Sequence, residues 1–182
     1  MQPISTMMRG LRGLPDASRR VYAFQDLRAL LPEHGRGACK SVVTRLQKRG
    51  DLTRVCRGIY ILPDCNLRGS ELLGHVAARL RADHFSYLSL ETVLSEAGVI
   101  SQIPMSRITL MSSGRSNVIS CGTYGDIEWI HTNKKAGELA TELSYDSRVQ
   151  LWRASVELAL RDMKDTRRDT GLIDWEAAHE FI

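Results

Sequence analysis

The segment from residue 36 to residue 62 constrains the fold more than any other part of the chain. At roughly 100° per residue, Cys39, Val42, Val43 and Leu46 fall in one arc of a helix running from about Ala38 to Arg49, and Lys40, Ser41, Thr44, Arg45 and Lys48 fall in the opposite arc. Gly50 stops that helix. Leu52–Val55 and Gly58–Leu62 then read as two short strands around Cys56-Arg57, closed by Pro63-Asp64. Upstream, Ile4, Met7, Met8 and Leu11 give amphipathic spacing across Met1–Leu14, and Phe24, Leu27, Leu30 and Leu31 mark a second helix that ends at Pro32.

Three helices followed by a small hairpin is the order of a winged helix-turn-helix. In that arrangement apolar residues seat the third helix, whose long donors reach phosphates and base edges of the major groove. The hairpin tip, here Arg54 and Arg57, lies beside the backbone or minor groove. A solvated basic surface helix shows the same division of faces, and it is the hairpin that tips the reading towards DNA.

The charge distribution points the same way. Residues 1–68 hold 13 Lys/Arg against 5 Asp/Glu, whereas residues 69–182 hold 12 against 16, so a formal net charge of +4 hides a basic front and an acidic back. Within Arg36–Arg57 stand seven basic residues, Arg36, Lys40, Arg45, Lys48, Arg49, Arg54 and Arg57, and one acid, Asp51. Folded onto one face, that density makes a polyanion-binding surface. With 182 residues, the chain divides on this reading into a winged helix-turn-helix over 1–68 and a mixed α+β domain over 69–182, an α+β protein overall.

Other classes fall away on composition. Hydrophobic residues at 43% and charged residues at 25% match globular usage and exclude a disordered chain. No run approaches the roughly 18 apolar residues of a membrane helix, and the first twenty residues lack the apolar core of a signal peptide. A cytoplasmic location is expected. Cys39, Cys56, Cys65 and Cys121 form no C-x-x-C pair and read as buried reduced thiols, and the five histidines are scattered, so neither a metal site nor a cofactor is expected.

The second half begins with a helix over Ser70–Ala82, with Ser70 as N-cap, and continues with a strand at Phe85–Leu88 and a helix over Leu90–Ala97 capped by Ser89. Arg107–Met111, Val118–Cys121 and Asp126–Thr132 read as strands. Val149, Trp152, Val156, Ala159, Leu160 and Met163 form one apolar stripe, which predicts a single long helix over about Ser147–Lys164 before a last short helix from Asp174. Catalytic signals are weak. Asp126, Glu128 and Lys134 are the nearest approach to a metal-dependent nuclease, but their spacing lacks a carboxylate and lysine two apart on one strand. Ser112–Ser116 is a polar, glycine-containing loop with phosphate-binding character but no Walker signature, and it reads first as a strand-ending turn. Trp129, Trp152 and Trp175 read as core or interface anchors.

The run Leu46-Gln47-Lys48-Arg49-Gly50-Asp51-Leu52-Thr53-Arg54-Val55-Cys56-Arg57-Gly58-Ile59-Tyr60 is followed by Tyr87–Leu94, Gly98-Val99-Ile100 and Ile108-Thr109-Leu110. In that order the blocks resemble AbiEi-type antitoxins of bacterial abortive-infection, or type IV toxin–antitoxin, systems, over roughly residues 20–165. The resemblance implies an N-terminal winged helix that binds inverted repeats in its own promoter and represses the operon. It also implies a C-terminal domain that counteracts a nucleotidyltransferase-like toxin without a stable complex. The DNA-contacting candidates are Arg36, Lys40, Ser41, Thr44, Arg45, Lys48, Arg49, Arg54 and Arg57. Family members often continue beyond the point equivalent to Ile182, which makes a reduced antitoxin half the expectation here. The competing readings are a stand-alone winged-helix regulator and a metal-dependent nuclease. With no heptad or long apolar seam, a monomer that pairs on DNA is expected, and not an enzyme.

Overall fold

The computed structural model describes residues 2–16, 19–101 and 106–182. The chain divides into two compact units, Met1–Arg68 and Gly69–Ile182, and its architecture is mixed α+β. In the first unit, α1 (Pro3–Arg12) precedes a two-residue strand β1 (Tyr22–Ala23), which leads directly into α2 (Phe24–Ala29). Asp26 in the first turn of α2 accepts the Ala23 backbone N–H at 2.8 Å, satisfying a donor that the helix start leaves open. Then come α3 (Arg36–Lys48), β2 (Thr53–Cys56) and β3 (Ile59–Ile61). The helix anticipated over Met1–Leu14 is therefore shorter, and Met1 lies outside the described residues.

The two-residue strand β1 carries no period for a sequence pattern to detect. It pairs antiparallel with β3, so the small sheet has the order β1-β3-β2. The core beneath it joins Met7, Leu11, Leu27, Leu31, Cys39, Val42, Val43, Leu46, Leu52 and Tyr60. Burial of aliphatic side chains of this size contributes about 1.5–3 kcal/mol each, which is what fixes α3 in rotation. Gly50 takes φ +76, the left-handed turn that ends α3 and that a side chain would strain.

The second unit opens with α4 (Gly69–Leu80), followed by β4 (Ser86–Leu88), α5 (Leu90–Glu96), β5 (Arg107–Ser112), β6 (Asn117–Ser120) and β7 (Asp126–His131). It continues with β8 (Leu143–Asp146), β9 (Leu151–Ala154), α6 (Val156–Asp165) and α7 (Trp175–Ala178). These strands form one mixed sheet of order β6-β7-β5-β4-β9-β8, with β5–β7 and β4–β9 parallel and the other pairs antiparallel. Successive residues of a strand point to opposite faces. On β7, Trp129 faces Arg81 at the end of α4, while Glu128 reaches Arg168, which also binds Glu91 of α5. Helices thus cover both faces of the sheet.

The long helix anticipated over Ser147–Lys164 does not form. Residues 151–154 are the strand β9, clamped between β4 and β8, and the helix starts only at Val156, where the Ser155 Oγ accepts the Leu158 N–H at 3.1 Å. Trp152 leaves the supposed apolar stripe altogether and is 45% exposed. The two caps anticipated by residue type also differ. Ser70 lies inside α4, which begins at Gly69. Ser89 precedes α5, but its hydroxyl donates to Asp162 Oδ2 at 2.7 Å and does not accept from the helix.

One ion-pair cluster is expected to make the stability of the second unit fall at acid pH. Asp146, at the end of β8, accepts from Arg148 Nη2 at 2.9 Å and Arg153 Nη2 at 3.3 Å, and Arg153 also pairs with Glu96 of α5. The hydrogen bond from Arg148 holds the Asp146 carboxyl down at about 2, against the opposing effect of desolvation. Lys134 lowers Asp165 in the same way. A carboxyl depressed in the folded state stabilises above its unfolded value, near 3.8, and that contribution is lost as pH falls through its folded one. The thermal midpoint is therefore expected to fall between about pH 4 and pH 2. Circular dichroism melts of Asp146→Asn should show a shallower decline; an unchanged slope would remove Asp146 from this account.

Candidate nucleic-acid interface

The rotation of α3 sorts its residues into two sets. Cys39, Val42, Val43 and Leu46 are buried, while Arg36, Lys40, Ser41, Thr44, Arg45, Lys48 and Arg49 are exposed. Arg54, on β2, and Arg57, in the turn between β2 and β3, are exposed as well. One sequence-local unit thus carries nine exposed candidates, seven of them cationic.

Their engagement differs. Among the described residues, Arg36, Lys40, Arg45, Lys48 and Arg57 have no carboxylate partner, so their charges are open to an outside anion. Arg49 is tied to Asp51 at 2.9 Å, and Arg54 Nε donates to the Cys56 carbonyl at 3.1 Å. Both are oriented by the protein itself, but only Arg49 has its charge offset by a carboxylate, since the acceptor of Arg54 is neutral. Ser41 Oγ donates to the Gly37 carbonyl at 3.2 Å and Thr44 Oγ1 to the Lys40 carbonyl at 2.9 Å. Their hydroxyl protons are spent within the helix.

Helix electrostatics favour only part of this pattern. Arg45 and Lys48 in the last turn complement the negative end of the helix dipole. Arg36 stands in a first turn that contains no acid, where a cation opposes the dipole. Its position costs the helix a few tenths of a kcal/mol, and local stability therefore does not account for it.

Asp126, Glu128 and Lys134, singled out in the second unit, are all held in ion pairs. Asp126 pairs with Arg107 at 3.3 Å, Glu128 is bound by Arg107 and Arg168, and Lys134 binds Asp162 and Asp165 at 2.7 and 2.8 Å. Arg107 is thus shared between Asp126 and Glu128, and Lys134 is held apart from both by Asp162 and Asp165. Among the described residues no group of three His, Cys, Asp or Glu side chains is placed to hold a metal, and all four cysteines are buried thiols.

Sequence reading flagged Lys134 but missed the group it completes. Asp162, fully buried on α6, accepts from Lys134 Nζ at 2.7 Å, Ser89 Oγ at 2.7 Å and Tyr87 Oη at 3.1 Å. Burial pushes the Tyr87 phenol well up, and the adjacent Asp162 adds to the shift. For Lys134, burial acts downwards, but the hydrogen bonds to Asp162 and Asp165 outweigh it and raise the ammonium. This network joins β4, the loop after β7 and α6, elements too far apart in the chain for any spacing to reveal. Trp129 is in the core, whereas Trp152 and Trp175 are exposed.

The fold and the surface together define a two-unit α+β protein whose basic unit presents one open cationic helix. No family profile matches the chain, and no curated protein does. Its fold is similar to that in the crystal structure of the RV2827C protein from Mycobacterium tuberculosis, with a TM-score of 0.59 at 16% identity over 88% of this chain. The similar region is 59% of that protein, so the chain spans about three fifths of its length. Among the described residues no helix is long and apolar enough to cross a membrane.

Proposed function

We propose that the protein is a cytoplasmic, non-enzymatic DNA-binding autorepressor and antitoxin of the type IV toxin–antitoxin kind. On this reading the first unit works as a winged helix-turn-helix. Its third helix, α3, enters the major groove, and Arg57 at the hairpin turn meets the backbone. The observation that carries the proposal is the open cationic face of α3, seated by a buried apolar face, on which Arg36, Lys40, Arg45 and Lys48 have no carboxylate partner among the described residues. Inverted repeats are then read by two chains on two half-sites, which asks for no large dimer interface beforehand. The resemblance to AbiEi-type antitoxins supplies the second part, counteraction of a nucleotidyltransferase-like toxin by the acidic unit without a stable complex.

Fluorescence anisotropy tests the DNA reading. The full chain should prefer the duplex upstream of its own gene about tenfold or more over a scrambled duplex, worth about 1.4 kcal/mol. Five neutralised phosphates per chain give a log–log salt slope of about −4.5. Equal, weak, salt-sensitive binding to both duplexes would reduce the basic face to a general polyanion surface and end the repressor reading. The antitoxin part is tested by co-expression with a nucleotidyltransferase-like toxin encoded beside the gene, where growth should be restored.

A further inference from the structure

A cleft at the end of α4 is independent of the DNA reading, because it lies wholly within the second unit. It encloses about 660 Å³ where the turn after α4 meets the β5–β6 turn and β7. Its wall sets Arg81, His84, Arg115 and His131 against a single carboxylate, Asp83, in a unit whose overall balance is acidic. The Arg81 guanidinium carbon sits 4.5 Å from the centre of the Trp129 ring. Its Nη2 donates to the Arg115 carbonyl at 2.5 Å and to the Asn117 side-chain oxygen. Both acceptors are neutral, so this partly desolvated cation has no ion-pair partner among the described residues. Arg81 Nη1 and Trp129 Nε1 are buried without an acceptor among the described residues.

The loop beside Arg81 is built for close approach. A Cβ at Gly114 would lie 2.9 Å from Arg81 Nη1 and 3.0 Å from the His84 ring, so a side chain there would displace the Arg81 guanidinium. Arg115, the next residue, is exposed, with no acceptor for its guanidinium among the described residues. A second hollow of about 240 Å³ shares Arg81 and His84 with the first and ends on Tyr145 and Trp152. That pair meets edge to face with centroids 5.5 Å apart, and both rings are about half exposed.

We propose that the two hollows form one site for a nucleoside polyphosphate, with its phosphates against Arg115, Arg81 and His84 and its base against the Trp152–Tyr145 pair. Cationic groups that outnumber the one carboxylate, Asp83, at one end and exposed aromatic rings at the other are the two recognition elements such a ligand needs.

Isothermal titration of the full chain with ATP, GTP and inorganic tripolyphosphate, followed in parallel by tryptophan fluorescence, tests the site. Saturable binding of about one ATP or GTP per chain is expected. Arg115→Ala and His84→Ala should each weaken it about tenfold. Trp152→Ala should weaken ATP and GTP about tenfold while leaving tripolyphosphate unchanged. The Arg45→Ala/Lys48→Ala variant should bind nucleotide as the parent does, which separates this site from the DNA surface. Absence of saturable binding to millimolar concentration, retention by the Arg115→Ala/His84→Ala pair, loss on changing Arg45 and Lys48, or indifference of ATP and GTP to Trp152→Ala would each overturn the proposal.

Discussion

Alanine at both Arg45 and Lys48 is expected to weaken binding to the promoter duplex by about 2–4 kcal/mol, roughly thirty- to a thousandfold. Both side chains are exposed in the last turn of α3 and neither has a carboxylate partner among the described residues, so their full charge is available to DNA. Two lost phosphate contacts should also flatten the salt slope by about 1.8. The change in slope separates the proposed mechanism from a general loss of fold. Each cation interacts favourably with the helix end by at most about 1 kcal/mol, so the thermal midpoint should move little. By the same logic Arg49→Ala should do less than Lys48→Ala, because Asp51 already holds the Arg49 guanidinium. Full binding by the double variant would remove α3 from the interface.

Asp162→Ala is expected to be the most destabilising single substitution proposed for the second unit. The carboxylate has no solvent exposure, and its loss strands the Tyr87 and Ser89 hydroxyls, both fully buried, and leaves the Lys134 ammonium with Asp165 alone. Removing one partner of a buried ion pair costs about 3–5 kcal/mol, which lowers the midpoint of a unit this size by about 10 °C or more. Asp162→Asn keeps an acceptor for the two hydroxyls and gives up the charge, so it should fall between wild type and alanine. Differential scanning calorimetry of the three proteins measures this order. An alanine variant melting within about 2 °C of wild type would mean that Lys134, Tyr87 and Ser89 find other partners.

The legible parts of this protein are the local ones. The face division of α3 follows from nine residues between Cys39 and Lys48, and its end follows from Gly50 at φ +76. Element β5 is readable from the alternation around Ile108 and Leu110, and β6 and β7 from the Gly122/Gly125 turn that they flank. What misled was a coincidence of period. Val149, Trp152 and Val156 are spaced as a helix would have them, yet residues 151–154 complete a sheet between β4 and β8. Pairing partners 65 residues away along the chain outweighed a local helical preference.

By itself, the sequence determined that the chain is basic in its first 68 residues and acidic in the rest, and that one helix divides cations from apolar residues. It also determined that α and β elements are mixed, because period, caps and turn residues act within a few positions of one another. Tertiary structure alone decided that Asp51 neutralises Arg49 and that Asp162 gathers Tyr87, Ser89 and Lys134. It likewise decided that Arg81 meets Trp129 and the 114–117 turn. Apart from the near neighbours Arg49 and Asp51, those groups lie 28 to 75 residues apart, and only the sheet and the helices packed on its two faces bring them within hydrogen-bonding reach.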